Sequence, residues 1–302
     1  MKQALIFPGQ GAQYCGMGKD FYDNYAECKE IFDHADDLLS THLSKLMFSG
    51  PMEDLTQTQN SQLAIYVMSL AIEKLIGVLP DTCAGLSLGE YSAVVASGRL
   101  SFEEGLKLVK ARGQFMQEAC LQNPGTMAVV LGLPEALVDQ LVLQIQKKHR
   151  VWVANLNCPR QVVLAGTKEG IAAAEPIMKE KGAKRFLELE VSGAFHSELM
   201  KPAQEKLEPV VDSAPFKESS ISLVMNVPGN YVTSLDEVRH FLNEQVVYPV
   251  KWEKGIHAME DHGIERYIEI GPGKTLAGMN RKIGVKGTTI SIEKVGDLDA
   301  LA

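Results

Sequence analysis

The stretch Thr82-Cys83-Ala84-Gly85-Leu86-Ser87-Leu88-Gly89-Glu90-Tyr91-Ser92-Ala93-Val94-Val95-Ala96 contains Gly85-Leu86-Ser87-Leu88-Gly89, the Gly-x-Ser-x-Gly spacing of a nucleophile elbow. Small, strand-forming residues come before it and a helical run comes after it. At a sharp strand-to-helix turn the serine takes a strained backbone conformation, and a bulky residue two positions away on either side would collide. Glycine at both places removes those collisions. The free N–H groups at the helix N-terminus then point at negative charge beside the serine oxygen. The bare five-residue pattern also occurs in ordinary loops. The strand before and the helix after give it its reading, and they announce an α/β fold.

The rest of the chain is consistent with that reading. Its 302 residues suffice for one large α/β domain or two smaller ones. With 45% hydrophobic and 23% charged residues the composition is that of an ordinary soluble enzyme. A formal net charge of -8 argues against a nucleic-acid partner. No apolar run reaches membrane-spanning length, and the apolar part of Met1–Gly9 is too short for a signal peptide, so no membrane association is expected. The five cysteines, Cys15, Cys28, Cys83, Cys120 and Cys158, are widely spaced without a Cys-x-x-Cys pair. That spacing predicts a reducing, cytoplasmic setting, with neither a disulfide framework nor a zinc site.

Outward from the elbow, Gln3–Pro8 reads as a first strand stopped by Gly9-Gln10-Gly11. Gln62–Ile76 has helical apolar spacing at Leu63, Tyr66, Val67, Leu70 and Ile72. Gly98 ends the elbow helix. Ser101-Phe102-Glu103-Glu104 is a capping box in which Glu104 reaches back. The helix it opens carries Leu106, Val109, Gly113 and Met116 on one side, with Arg112 at the edge of that face. Such an arginine is either a snorkelling surface residue or a charge aimed into a cleft.

From about Thr126 the order becomes strand (126–133), helix (134–145), strand (151–154), strand (161–165), helix (169–181), strand (185–191), with an Asn-Cys-Pro-Arg turn at 157–160. This is the ferredoxin-like order. It predicts a small domain at 125–193 inserted into a large α/β domain made of 1–124 and 194–302, with a mostly parallel sheet and a cleft between the two. Downstream, helices are expected at 202–211, 234–245 and 250–262, and strands at 221–226 and 266–270.

A serine nucleophile needs a base, usually histidine. Of the seven histidines, His34, His42, His149 and His240 lie in polar sequence, and His257 and His262 are five apart, a poor spacing for a metal pair on a helix. His196 lies in Val191-Ser192-Gly193-Ala194-Phe195-His196-Ser197, past a strand end and among small residues, and comes from a different element than Ser87, as a base must. The alternative is a polar residue on an interdomain linker. Gly9-Gln10-Gly11 follows a strand and so reaches the same sheet edge as Ser87. A backbone N–H there, with that of Leu88, would form an oxyanion hole, each donor worth about 3 kcal/mol. Taken alone, the same glycines are a tight turn.

These motifs together resemble the malonyl-CoA:acyl-carrier-protein transacylases of fatty-acid and polyketide synthesis. The resemblance runs through Phe7-Pro8-Gly9-Gln10-Gly11-Ala12-Gln13, the elbow with Glu90-Tyr91-Ser92-Ala93, Arg112-Gly113, Ala194-Phe195-His196-Ser197 and Gln245 to Pro249-Val250-Lys251-Trp252. It covers nearly the whole chain and implies a hydrolase-like α/β core with an inserted ferredoxin-like subdomain. By this likeness Ser87 is the acylated nucleophile, His196 its base, and Gln245 the residue whose carbonyl orients the histidine in place of a triad acid. Gln10 and Leu88 supply the oxyanion hole, and Arg112 holds the free carboxylate of malonate. Gln62 lines the pocket, and Phe195 resembles the malonyl-selective form. Leu86 departs from the histidine that many members carry at that position. The implied reaction is ping-pong acyl transfer from malonyl-CoA to the phosphopantetheine thiol of an acyl carrier protein. It needs no metal or redox cofactor, and a monomer is expected. An acidic carrier would need a basic patch on this acidic chain, for which Arg160, Lys184 and Arg185 are candidates. Two other readings stand beside it. One is an acyl-thioester hydrolase on the same scaffold, which would have no use for a buried positive charge. The other is a non-catalytic carrier-docking module, which would have no use for Ser87 and His196.

Overall fold

The computed structural model describes residues 1–301. Ten strands are formed among them: β1 (Lys2–Phe7), β2 (Thr82–Gly85), β3 (Thr126–Leu131), β4 (Val151–Cys158), β5 (Gln161–Gly166), β6 (Arg185–Glu188), β7 (Ser222–Met225), β8 (Asn230–Val232), β9 (Ile264–Ile270) and β10 (Thr288–Ile292). They make two sheets, ordered β10-β9-β1-β2-β7-β8 and β4-β5-β3-β6. The first is parallel except for β8, which runs antiparallel to β7. The second is antiparallel throughout.

Helices cover both faces of the parallel sheet, so its central strands are apolar without alternation. Ala4, Leu5, Ile6 and Phe7 of β1 have no exposed surface. The helix Thr58–Ile76 starts four residues before Gln62, and every residue from Ser61 to Ile72 is buried. A helix buried all round is a core helix. The register pairs Phe7 with Gly85, so β1 and β2 end at the same level. The turn at Gly9–Gln13 and the elbow therefore lie side by side at the carboxyl edge of the sheet, where open α/β sheets bind ligands.

The strands β3 to β6, with helices Glu135–Ile145 and Lys168–Glu180, form the expected ferredoxin-like unit. Val130, Val162 and Leu164 pack against those helices, among them Val138, Leu141 and Met178. The other face turns Met127, Ala154, Val163 and Ala165 into the main core cluster. Backbone bonds fix the contact: Leu156 N–H donates to the Val250 carbonyl at 2.8 Å, and Val250 N–H to that of Ala154 at 2.9 Å.

Several boundaries differ from expectation. The strand expected to stop at Ala154 runs on to Cys158, because it pairs with β5 as far as Gln161 and only Pro159-Arg160 turn, with Arg160 at φ 60°. The strand expected to reach Val191 pairs only as far as Glu188. Ser101 Oγ accepts the Glu104 N–H at 3.2 Å, but the Glu104 carboxylate turns to Lys107 at 2.6 Å rather than back to the cap. The full capping box forms at Ser234 and Glu237. No described helix is long and apolar enough to cross a membrane.

Candidate active site

The elbow is a collision point that only glycine relieves. A Cβ on Gly85 would lie 2.0 Å from the Gly89 backbone, and one on Gly89 would lie 2.1 Å from the Phe7 carbonyl oxygen. A Cβ on Gly9 would lie 2.5 Å from the Leu86 carbonyl oxygen. Between these contacts Ser87 sits at φ 54°, in the left-handed region that costs a side chain energy. Asn226, just past the end of β7, holds it there. Its Oδ1 accepts the Ser87 N–H at 2.7 Å, and its Nδ2 donates to the Gly85 carbonyl at 2.7 Å.

Ser87 Oγ lies 2.9 Å from Nε2 of His196. The Nδ1 atom of His196 lies 2.6 Å from the Gln245 carbonyl oxygen. A carbonyl only accepts, so the proton of the neutral ring sits on Nδ1, and Nε2 offers its lone pair to the serine hydroxyl. Burial, and the positive charge of Arg112, push the imidazole pKa down to about 4. Gln245 caps the helix Leu235–Glu244, so its carbonyl belongs to the helix end that has no partner within the helix. His196 itself lies eight residues beyond β6, in irregular backbone at φ 56°, rather than next to a strand end.

Arg112 is not at an edge. It is 1% exposed and enclosed between the helices Phe102–Gln122 and Thr58–Ile76 and the elbow, which removes the snorkelling alternative. Its Nη1 donates to Gln62 Oε1 at 2.7 Å, and its Nη2 to Gln245 Oε1 at 2.9 Å and to Ser87 Oγ at 3.2 Å. The guanidinium carbon lies 5.3 Å from the centre of the Tyr91 ring, and Nε has no acceptor among the described residues. Burial lowers its pKa while Tyr91 and Glu90 draw it back up. An arginine stays charged under such opposition. This is a buried cation held by neutral groups, with donor capacity left over.

A cleft of about 650 Å³ opens in front of the pair, lined by Gln10, Leu86, Ser87, Phe195 and His196, and on the far side by β3, β4 and β5. Gln62, Leu88, Arg112 and Gln245 form the wall behind that lining. Gln62 Nε2 lies 3.4 Å from Gln10 Oε1, which links the β1 turn to the arginine. Among the described residues no acceptor takes the N–H of Gln10 or of Leu88. All nine residues singled out from sequence thus gather around one point. Arg160, Lys184 and Arg185 do come together around Gly132, but at the Leu131 end of β3. The cleft lies at its Thr126 end, roughly 17 Å away at ~3.4 Å per residue. His34 and His257 pair with surface glutamates, and no cluster of three metal-binding side chains occurs among the described residues.

Two residues escaped the sequence reading as members of the site. Asn226 clamps the elbow, and Glu90, fully buried, joins Asn226 to Gln245. An acidic residue opening the apolar run Tyr91–Ala96 was the available signal for Glu90. Asn226, ending an apolar strand at the ligand-binding edge of the sheet, was the other.

The fold and this geometry define an α/β protein of the nucleophile-elbow type, with a serine hydroxyl and a neutral imidazole in hydrogen-bond contact. The chain belongs to the acyl transferase domain family, whose model matches residues 4–294. It is 44% identical over 295 residues to the malonyl CoA-acyl carrier protein transacylase of Bacillus subtilis, covering 96% of this chain and 93% of that protein. An acyl carrier protein S-malonyltransferase from Vibrio cholerae superposes with a TM-score of 0.95 at 36% identity, covering all of both chains. A malonyl-transacylase solved in complex with its type II PKS acyl-carrier protein superposes with a TM-score of 0.96 at 34% identity, covering 99% of this chain and 98% of that one.

Proposed function

We propose that this chain is a malonyl-CoA:acyl-carrier-protein S-malonyltransferase. It moves the malonyl group to the phosphopantetheine thiol of an acyl carrier protein in fatty-acid or polyketide synthesis. The observation that carries the reading is Arg112, a buried cation within 3.2 Å of the serine oxygen and bound only by uncharged partners. In a malonyl thioester the carboxylate is one methylene from the carbonyl carbon. A guanidinium that holds the carboxylate must therefore stand beside the nucleophile. A fork of parallel N–H donors fits that planar anion.

His196 Nε2 takes the proton of Ser87 as its oxygen attacks the thioester carbonyl. The oxyanion forms against the N–H groups of Gln10 and Leu88. Collapse breaks the carbon–sulfur bond, and the CoA thiolate leaves with the proton from His196. The carrier's thiol then gives its proton to the same nitrogen and attacks the malonyl-serine ester, and Ser87 recovers the proton on collapse. No step calls for a metal or redox cofactor. Gln245 orients His196 through its carbonyl, and Gln62 steadies Arg112. Phe195 and Leu86 wall the acyl site, where the Phe195 ring leaves little room for a branch on the malonyl carbon. We take 1–124 with 194–302 as the catalytic domain and 125–193 as the small one, working as a cytoplasmic monomer.

A hydrolase on this scaffold would pass the acyl group to water, and the names borne by the relatives favour transfer. Incubation of the protein with malonyl-CoA and a holo carrier protein tests it. Malonyl should appear on the carrier's thiol much faster than free malonate accumulates. Free malonate as the main product would favour hydrolysis.

A further inference from the structure

Glu90 lies in the first turn of the elbow helix, has no exposed surface, and takes no part in the steps above. Both of its oxygens are engaged by donors. Oε1 accepts the Asn226 backbone N–H and Oε2 accepts Gln245 Nε2, each at 2.5 Å. Neither donor is free to reverse. The first is backbone. The second belongs to an amide whose orientation two other contacts fix: Nε2 also donates to the Ser87 carbonyl at 2.8 Å, and Oε1 accepts from Arg112 at 2.9 Å. The position therefore calls for a side chain of this length that only accepts, and an ionised glutamate is the one that does. Burial raises its carboxyl pKa to about 8, with Asn226, Gln245 and Arg112 pulling the other way; the ionised form is required here by the two fixed donors, not by the burial.

We propose that Glu90 is a positioning residue that fixes the Gln245 amide, so that this one side chain holds Arg112 in place while its own backbone carbonyl holds His196. The inference rests on Arg112 and His196 having the roles given above. It makes Gln245 a junction. The carboxylate of Glu90 sets the amide's orientation, the amide oxygen anchors the guanidinium, and the amide nitrogen ties the residue to the elbow through the Ser87 carbonyl. A glutamine at position 90 keeps the shape but brings an N–H₂ against one of two donors. Relief by turning the Gln245 amide would set its nitrogen against Arg112 and break the bond to Ser87.

The test is the rate of malonyl-serine formation from malonyl-CoA in Glu90→Gln and Glu90→Asp, with thermal melts to confirm folding. Glu90→Gln should acylate at least tenfold more slowly than the wild-type protein. Glu90→Asp, shorter but still only an acceptor, should retain more activity than Glu90→Gln. A residue that merely filled space would give the opposite order, and that order, or a Glu90→Gln rate within twofold of wild type, overturns the proposal. Should Glu90→Gln not fold, the wild-type protein still decides. Its Gln245 side-chain amide protons, identified by their loss in Gln245→Ala, should be shifted downfield and protected from exchange. Shifts of a free glutamine amide would overturn it. If wild-type protein forms no malonyl adduct, the failure lies in the reading of the reaction rather than in Glu90.

Discussion

Arg112 illustrates how a single buried charge acquires meaning from its surroundings. Helical spacing puts it at the margin of an apolar face. Its enclosure comes from two other helices closing over it, which no local pattern records. Two charge-assisted bonds to a carboxylate are together worth ~3–6 kcal/mol. Arg112→Ala should therefore slow malonyl transfer roughly 100-fold or more while sparing hydrolysis of uncharged acyl thioesters. Paired kcat/KM values for malonyl and acetyl thioesters check this, and an equal loss with both would remove the carboxylate role. His196 offers a second test at this scale. Its pKa is depressed to about 4, so the ring is already neutral at pH 5. The neutral ring that the proposed reaction uses as its base is lost only as the pH falls through that value. Between pH 5 and 8, malonyl-serine formation should show no inflection near 6.5, where an ordinary histidine would produce one. Ser87, His196 and Arg112 could be picked out from sequence because their motifs sit on the chain as contiguous words. Asn226 and Glu90 were not, because the local signal at each says nothing of its contacts with residues more than a hundred positions away.

At the scale of elements, the elbow is a packing problem solved by removing side chains. Gly89→Ala forces a Cβ against the Phe7 carbonyl, which is backbone and cannot give way. It should cost more than about 3 kcal/mol, beyond ordinary overpacking, and abolish acylation of Ser87. Gly113→Ala meets the Gln59 Cα at 3.0 Å between two helices that can part slightly, and should cost ~1–3 kcal/mol. Urea midpoints of the two variants measure the contrast, and equal midpoints would contradict it. The elements readable in advance carried their own signals, such as the Gly9-Gln10-Gly11 stop after β1, the capping serine at 101 and the helical apolar spacing from Leu63 to Ile72. The helix Thr275–Ile283 did not. Its first N–H groups are capped by the carboxylate of Glu269 in β9, with bonds of 2.8 and 3.0 Å to Leu276 and Ala277, and Lys274 stands where a capping side chain would normally show. β8 has only three residues, and β10 leans on β9 for its place.

Across the whole molecule, the cleft exists because a second sheet is pinned against the edge of the first. The small unit is separate in topology but not in packing. Met127, Ala154, Val163 and Ala165 belong to the main core, and the backbone exchange with Val250 closes the joint. Unfolding one part would expose apolar surface of the other, so calorimetry should give a single cooperative transition. Two resolved transitions would show that the parts unfold independently. The mostly parallel character of the large sheet and the ferredoxin-like plan of the small unit were foreseeable from the alternation of strands and helices. The joint was not, since it depends on the free edge of β4 meeting a segment nearly a hundred residues downstream.

The most direct test is intact-protein mass spectrometry after brief mixing with malonyl-CoA alone. The wild-type chain should gain the mass of one malonyl group, located on the peptide containing Ser87, and return to its starting mass when a holo carrier protein is added. Ser87→Ala should gain nothing. An unmodified wild-type chain, or an adduct that persists in Ser87→Ala, would contradict the claim that this hydroxyl carries the acyl group between its two thiols.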